Sequence, residues 1–311
     1  MIRRSLSRWT DGPLTAGVLL TAGCVLAFAP DPYLLMLARS FLWQWALAAA
    51  GIALFALVTR RWWSAAGAGA ATLLLAFPPC PTVGVPAGGP AGPELVRVAQ
   101  MNVLQPNDDH DAVIAAAIAT DADVISFQEV SPVWAEKLLR GLSDEYPFSH
   151  IVPGNTCYGI AMFSRLPFAR IGTVHLHRRP MLLAEVETLT GPVRLLSVHA
   201  TSPGSWAEFR ERNAQLDELT SLVNDSPMPV VLFGDLNTVS WDRALRRLCR
   251  RTGLREHPDG ARATWPSIAG LALIPLDHVL VTPGLAVDTV GIFPIPGSDH
   301  RGVTAVIRAR T

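Results

Sequence analysis

The chain has 311 residues, of which 50% are hydrophobic and only 17% are charged, so it is more apolar than an ordinary soluble protein. The excess lies in Met1–Pro93, where Asp11 and Asp31 are the only acidic residues. From Glu94 onward there are 20 basic and 24 acidic residues. Nucleic-acid binding draws most of its affinity from cationic groups, so this balance disfavours a nucleic-acid partner but does not exclude one.

Three uncharged stretches in the first part of the chain predict membrane-spanning helices. They cover residues 12–30, 40–59 and 62–79, and each is close to the roughly 20 residues that cross a bilayer as a helix. We therefore predict that residues 1–80 form a membrane anchor with about three transmembrane helices. A cleaved signal peptide is the alternative for the first stretch, and Pro30 directly after Ala27-Phe28-Ala29 disfavours it. A buried soluble hairpin is a second alternative.

The arginines predict the orientation of this anchor. Three of them, Arg3, Arg4 and Arg8, precede the first stretch, and Arg60-Arg61 separates the second from the third. Because basic loops stay on the cytoplasmic side, three spans would deliver the rest of the chain to the outer face. We expect a multi-pass protein of the cytoplasmic membrane, with a Pro/Gly-rich linker at 81–93 and a catalytic domain at 94–311. Two spans would instead place that domain inside.

Strands and helices alternate in residues 94–311. Apolar alternation and β-branched runs predict strands, and helical spacing predicts helices between them. The predicted strands are 95–103, 123–129, 159–164, 193–199, 230–235, 276–281 and 302–307, and the predicted helices are 111–119, 133–142 and 206–223. Sheets with helices between their strands indicate an α/β layered sandwich.

Polar residues recur where these strands end. They are Asn102, Glu129, His199, Asp235 with Asn237, Asp277, and Asp299 with His300. Catalytic groups favour loops on a rigid scaffold, so six such positions in one domain indicate an active site. Carboxylates such as Glu129 are ligands that Mg²⁺ prefers, and Asp235 is suited to orient or deprotonate a water. Gly-x-Ser-x-Gly and phosphate-loop motifs are absent from the sequence, which disfavours acyl transfer and nucleoside-triphosphate hydrolysis.

The ordered set of motifs resembles the endonuclease/exonuclease/phosphatase family, in a membrane-anchored form of bacterial type. The motifs are Met101-Asn102-Val103, Phe127-Gln128-Glu129-Val130, Tyr158 to Arg165, Gly234-Asp235-Leu236-Asn237, Leu276-Asp277-His278-Val279 and Gly297 to Arg301. The resemblance covers about 94–308 and implies a four-layer α/β/β/α sandwich that hydrolyses phosphoesters with Mg²⁺ or Mn²⁺. One departure is Leu104, where nuclease members often carry a second acidic residue.

The resemblance also implies a role for each site residue. Glu129 would ligate the metal, with Asn102 assisting metal or phosphate binding and Asp299 close to the metal. Asp235 would position the attacking water, and Asn237 would hold the phosphate. His300 would stabilise the transition state or protonate the leaving group, held in its tautomer by Asp277. His199 would contact the non-bridging oxygens, and Tyr158 the phosphate.

Several alternatives remain open at this stage. The expected substrate is a phosphate ester, extracytoplasmic or lipid-linked, cleaved by a phosphatase or phosphodiesterase. A membrane-tethered nuclease and a non-catalytic phosphate receptor are the alternatives. Arg178 and Arg179 fit either a phosphate contact or a solvated turn. Cys157 and Cys249 fit either free thiols or a disulfide, and the oligomeric state is not specified by the sequence.

Overall fold

The structure, a computed structural model, describes residues 11–76, 91–257 and 262–310. The chain forms two compact units, Met1–Pro81 and Thr82–Thr311. Arg3, Arg4 and Arg8 lie outside the described residues, as does most of the expected linker at 81–93. The first strand of the second unit begins at Ala91, so the last residues of that expected linker are extended backbone within a sheet.

The described part of the first unit is helical. Its helices are α1 (Pro13–Phe28), α2 (Tyr33–Ser40), α3 (Leu42–Val58) and α4 (Trp62–Ala76). No single helix in the described ranges is both long and apolar enough to cross a bilayer. Helices α1 and α2 are long and apolar enough only when they are counted together, and the chain bends by 99° at the break between them.

Small residues and one buried cation hold these helices together. A Cβ added at Gly67 of α4 would lie 2.6 Å from the Cα of Ala16, so glycine is needed where α1 and α4 pack closely. Buried Arg39 pairs with Asp31, and its guanidinium donates to the carbonyls of Leu26 and Ala29 at 2.7 Å each. These contacts fix the sharp turn between α1 and α2.

The second unit is built on two six-stranded mixed sheets. The first has the order β11-β12-β1-β2-β4-β3 and the second the order β5-β6-β7-β8-β10-β9. The first sheet consists of β1 (Ala91–Asn102), β2 (Val124–Gln128), β3 (Phe148–Val152), β4 (Ile160–Ser164), β11 (Leu285–Pro294) and β12 (Arg301–Arg310). The second consists of β5 (Phe168–Leu176), β6 (Arg179–Thr188), β7 (Gly191–His199), β8 (Val230–Asp235), β9 (Arg255–Glu256) and β10 (Asp277–Val281).

Helices cover the outer face of each sheet. Against the first sheet pack α5 (His110–Ala119) and α6 (Pro132–Leu142), and against the second α7 (Trp206–Asn224) and α8 (Arg243–Thr252). A third apolar cluster fills the space between the sheets and includes Val98, Leu195 and Phe233. The order helix, sheet, sheet, helix is the α/β sandwich that the sequence predicts. Cys157 and Cys249 are both free thiols.

Candidate active site

Strand ends from both sheets bring the expected site residues to one place. Strands β1 and β2 run parallel, so Asn102 and the residue before Glu129 lie side by side at the edge of the first sheet. Strands β7 and β8 are also parallel, and their last residues, His199 and Asp235, are paired in register. Strand β10 runs antiparallel to β8, which places its first residue, Asp277, opposite Asp235.

Asp235 lies at the centre of this group and is almost completely buried. Its Oδ2 accepts a hydrogen bond from Asn102 Nδ2 at 3.1 Å. The same oxygen lies 3.6 Å from His199 Nε2 and 3.7 Å from His300 Nε2. Its Oδ1 accepts from the backbone N–H of Asn237 at 2.9 Å. One carboxylate is therefore held by an amide on one side and faces two imidazoles on the other.

His300 lies between two carboxylates. Its Nδ1 is 2.9 Å from Asp277 Oδ2, while its Nε2 faces Asp235. Burial alone would lower the pKa of His300, but the negative charges of Asp277 and Asp235 outweigh it and raise the pKa to about 10. His300 is therefore an imidazolium near neutral pH. Burial has the opposite effect on the pKa of Asp235, which is raised, and it lowers the pKa of His199.

Asn102 connects this group to Glu129. The Asn102 amide nitrogen lies 3.1 Å from Glu129 Oε1, the same distance as from Asp235. The other Glu129 oxygen accepts from the backbone N–H of Gln105 at 3.0 Å. Glu129 has a φ of +64°, a left-handed conformation that is uncommon for a residue with a side chain. The turn after β2 thus directs a partly exposed carboxylate toward Asn102.

The loop that carries Asp299 is tied to the end of β1. Ser298 Oγ donates to the backbone carbonyl of Asn102 at 2.8 Å, and the backbone N–H of His300 donates to the same hydroxyl at 3.0 Å. Asp299 itself accepts a 2.8 Å hydrogen bond from the Trp265 indole. No direct hydrogen bond from Asp299 to Glu129 or Asn102 occurs within the described ranges. The structure therefore brings Glu129 and Asn102 into contact and places Asp299 on an adjoining loop.

Two groups of residues offer donors for a divalent cation. One oxygen or nitrogen each from Asp235, Asp277 and His300 lie within 4.8 Å of one another. The other group is the expected set of Glu129, Asn102 and Asp299. Both oxygens of Asp277 already accept hydrogen bonds, one of them from His300, so the first group is engaged in its own contacts. The partly exposed carboxylate of Glu129 fits Mg²⁺ better, because Mg²⁺ retains several waters.

Asn237 and His199 adjoin Asp235, and Tyr158 lies next to His199. Asn237 has a φ of +47°, and its side chain donates to the carbonyl of Ala200 at 2.9 Å. The Tyr158 ring lies 5.6 Å from the His199 ring, centre to centre. Burial raises the pKa of Tyr158, so its hydroxyl stays protonated near neutral pH. Amide, imidazole and phenol groups together can donate hydrogen bonds to the oxygens of a phosphate.

Three supporting residues escape detection at the sequence level. Gln100, on β1, donates to Asp277 Oδ1 from the facing sheet. Arg212, a fully buried residue of α7, donates to the backbone carbonyl of Asn237 and pairs with Asp242, both at 3.2 Å. Gln100 lies two residues before Asn102, and alternation along a strand puts the two on the same face, which is the signal that could have identified it.

The third, His278, lies beneath the turn that carries Asn237. Its Nδ1 is 2.7 Å from Glu256 Oε1, and its Nε2 is 2.7 Å from the carbonyl of Thr238. A carbonyl only accepts, so Nε2 carries a proton. Although burial opposes it, the charge of Glu256 raises the pKa of His278. Ser240 Oγ donates to the second Glu256 oxygen at 2.8 Å, so both oxygens of this buried carboxylate have partners.

A two-sheet sandwich with carboxylates, amides and histidines at one edge defines a class of phosphoester-cleaving proteins. The chain belongs to the endonuclease/exonuclease/phosphatase family, whose model matches residues 97–300. Members of this family are generally metal-dependent hydrolases of phosphoesters. A search of curated proteins found no match.

Solved structures share the fold at low sequence identity. An endonuclease/exonuclease/phosphatase from Beutenbergia cavernae gives a TM-score of 0.60 at 20% identity, over 70% of this chain and 72% of that one. A humanised D. rerio TDP2 gives 0.58 at 16% identity, over 68% and 98%. Beta toxin from Staphylococcus aureus gives 0.51 at 17% identity, over 68% and 99%. At these identities the likeness establishes the fold.

Proposed function

We propose that this protein is a membrane-anchored hydrolase of phosphate esters that depends on Mg²⁺ or Mn²⁺, acting as a phosphatase or phosphodiesterase. The row formed by Asp277, His300 and Asp235 is the observation that carries the proposal. It places an imidazolium and a buried carboxylate side by side. The side-chain amide of Asn102 hydrogen-bonds both Asp235 and the Glu129 carboxylate and so links the two. Nucleophile activation and charge stabilisation in phosphoryl transfer require groups of these kinds.

Each residue then has a chemical task. Asp235 orients the attacking water and accepts its proton, because its carboxylate is fixed by Asn102 and the backbone of Asn237. His300 stabilises negative charge in the transition state or gives a proton to the leaving oxygen, and Asp277 keeps its Nδ1 protonated. Asn237 donates to a phosphate oxygen the amide hydrogen that Ala200 does not use, without repelling the phosphate. Asn102, whose two amide hydrogens go to Glu129 and Asp235, assists by holding those two carboxylates in place.

His199 contacts the non-bridging phosphate oxygens, and Tyr158, next to it, contacts the phosphate. Glu129 and Asn102, with Asp299 close by, would hold the metal, which supplies Lewis-acid stabilisation of the phosphoryl group when bound. Glu129 suits this task because it is a hard, partly exposed oxygen donor, and it lies at a left-handed backbone position.

The first unit is proposed to be a membrane anchor. Large apolar side chains on α1 and α3 face outward, with Leu14 81% exposed, Leu47 73% and Val58 75%. Such surfaces are uncommon in water-soluble monomers and favour contact with lipid. The close packing at Gly67 is of the kind that small residues allow between membrane helices. The bend between α1 and α2 is compatible with a broken span or a re-entrant segment.

The expected location is the cytoplasmic membrane with the catalytic unit on its outer face. The arginines before the first stretch and at Arg60-Arg61 support this orientation. Anchoring would raise the effective concentration of lipid-linked or extracytoplasmic phosphate esters. TDP2 and beta toxin share the fold, but a shared fold does not assign their substrates to this chain. A reporter fused at Glu94 tests the orientation, since it is active on one side of the membrane only.

Turnover tests the catalytic proposal directly. Purified full-length protein with Mg²⁺ is compared on polyprenyl phosphates, phospholipids and plasmid DNA. We expect hydrolysis of a phosphate ester, with Asp235→Ala and His300→Ala lowering kcat by a factor of about 10² to 10⁴. Exposed Asp144→Ala and His175→Ala are matched controls that keep full activity. Full activity in both site variants would overturn the residue assignment, and preferred cleavage of DNA would identify a tethered nuclease.

A further inference from the structure

One cavity of the catalytic unit is lined by Arg179, which packs on Tyr158 of the candidate active site. It has a volume of about 600 Å³ and is formed by the turn between β5 and β6 together with the first turns of α7. Three of its lining residues are arginines. The polar and aromatic residues that line it are His177, Arg178, Arg179, Trp206, Arg210 and Glu211.

Two positive charges in this cavity are uncompensated. Arg179 Nε pairs with Glu211 Oε1 at 3.0 Å, and His177 Nδ1 lies 2.5 Å from Glu218 Oε1, so these acidic groups are already engaged. Arg178 and Arg210 make no ion pair or side-chain hydrogen bond with any residue in the described part of the chain. Two guanidinium groups therefore face the same space with no protein acceptor.

The backbone of the turn holds Arg178 in an unusual conformation. His177 has a φ of +53° and Arg178 a φ of +120°, in a region that residues with side chains rarely adopt. The His177 backbone N–H also donates to Glu218 of α7 at 3.2 Å. The turn is therefore attached to the helix that contributes Arg210. A two-residue turn between paired strands requires positive φ at both central residues, so the hairpin fixes the position of the Arg178 backbone.

Arg179 connects the cavity to the catalytic residues. Its guanidinium lies over the Tyr158 ring, 3.7 Å from the ring centre, and that ring is 5.6 Å from the ring of His199. Arg179, which lines the cavity, therefore packs on an aromatic side chain that lies next to His199.

We propose that this cavity binds a second phosphate group of the substrate, one that is not cleaved. This inference rests on the proposed function, because the first phosphate occupies the site at Asp235 and His300. Guanidinium groups match phosphate oxygens geometrically and form charge-assisted hydrogen bonds with them. The preferred substrates are therefore phosphate esters that carry two phosphate groups.

Binding of non-hydrolysable probes tests this without requiring turnover. Isothermal titration of the full chain in detergent with Mg²⁺ compares hexylphosphonate with alkane-α,ω-bisphosphonates of three to ten carbons. For one chain length we expect the bisphosphonate to bind at least about 10-fold more tightly. Arg178→Gln combined with Arg210→Gln removes that preference. A bisphosphonate that binds no better than hexylphosphonate at every length overturns the proposal.

The matched control removes the same net charge elsewhere in the unit. Arg170→Gln combined with Arg250→Gln changes two exposed arginines outside the cavity and retains the preference. Equal loss of preference in both double variants would mean a general charge effect and would contradict the proposed site. Bisphosphonate binding that persists in a protein without phosphoesterase activity refutes the proposed function and leaves the second site standing.

The source of the second phosphate is distinguished by a competition. Phosphatidic acid is added to the detergent micelles in the presence of the bound bisphosphonate. The control variant Arg170→Gln/Arg250→Gln has an unchanged cavity, so the lipid should displace the bisphosphonate from it and from the wild-type protein at the same concentration. That result identifies a lipid headgroup as the ligand. Displacement from the wild-type protein at a lower lipid concentration than from the control contradicts the proposal. The absence of displacement identifies a soluble bisphosphorylated substrate.

Discussion

Gln100 and Asp277 face each other across the interface between the two sheets, and the Gln100 side chain donates a hydrogen bond to Asp277 Oδ1. The other Asp277 oxygen accepts from His300 at 2.9 Å. Asp277 is therefore held from the first sheet while it orients a histidine whose loop also adjoins that sheet. This contact fixes the position of one sheet relative to the other at the site.

Replacing Gln100 with Leu is expected to lower kcat about 10-fold while changing KM much less, because the variant leaves Asp277 Oδ1 buried without a donor and loosens His300. Steady-state kinetics on the phosphate ester identified by the turnover screen measures both constants. A positioning role predicts that Gln100→Asn recovers part of the loss.

Gln128→Leu is the matched control for this change. Gln128 is equally buried in the neighbouring strand and donates to Ser126 Oγ at 2.7 Å rather than to a site residue. The two substitutions make the same change of side chain and remove one side-chain hydrogen bond each. If the Gln128 variant loses as much activity as the Gln100 variant, the effect arises from packing between the sheets and not from Asp277.

Glu129→Gln is expected to raise the Mg²⁺ concentration for half-maximal activity by at least about 10-fold, since the amide removes the charge that attracts the cation. Removal of divalent cations with a chelator abolishes activity, and added Mg²⁺ or Mn²⁺ restores it. Binding of Mn²⁺, followed by electron paramagnetic resonance, provides a readout that does not need turnover.

The control for this metal prediction is Glu136→Gln. Glu136 is an exposed residue of α6 that pairs with Arg140 at 2.6 Å. The Glu136→Gln variant loses the same charge at a distance from the site, so we expect its Mg²⁺ requirement to equal that of the wild-type protein. Unaltered Mn²⁺ affinity in Glu129→Gln would show that the cation binds elsewhere, with the Asp235, Asp277 and His300 group as the next candidate.

The raised pKa of His300 predicts how stability depends on pH. The folded-state pKa is about 10, above the ordinary value of 6.5. The protonated histidine therefore stabilises the fold fully below the unfolded pKa, and this contribution is lost as pH rises through about 10. The difference in unfolding free energy between wild type and Asp277→Asn, measured with urea, should be largest just below pH 6.5 and should shrink as the pH rises toward 10. A difference that is constant up to pH values above the folded pKa would contradict the assignment.

The sequence predicts the strands that carry chemistry better than those that do not. Each strand ending at a site residue has a run of apolar or β-branched residues and a polar end, as in Val230–Asp235. Strands β3, β5, β6, β9 and β11 are absent from the prediction. In β5, for example, most side chains are only partly buried, so the sequence carries no strong apolar alternation, and tertiary pairing with β6 determines the strand.

The residues of the candidate site also divide into those that the sequence predicts and those that it does not. Asp235, Asp277 and His300 lie together, because β10 and β12 begin at the edge where their antiparallel neighbours β8 and β1 end. Residues that hold them from behind lack the strand-end pattern. Arg212 is one of two arginines on its helix, and only the packing of α7 against the Asn237 turn distinguishes it from Arg210. Contacts between distant segments were not predictable, since the sequence does not specify how the two sheets face each other.

The buried pair of His278 and Glu256 is expected to be the most sensitive position outside the catalytic residues. Glu256→Gln removes the carboxylate charge and leaves the His278 imidazolium buried, which should cost roughly 3 kcal/mol of unfolding free energy. It should also lower kcat, because His278 Nε2 supports the turn with Asn237 through the Thr238 carbonyl. Urea denaturation measures the first effect, with exposed Glu136→Gln, expected within about 0.5 kcal/mol of wild type, as control. A loss below about 1 kcal/mol would mean that His278 is neutral in the folded protein.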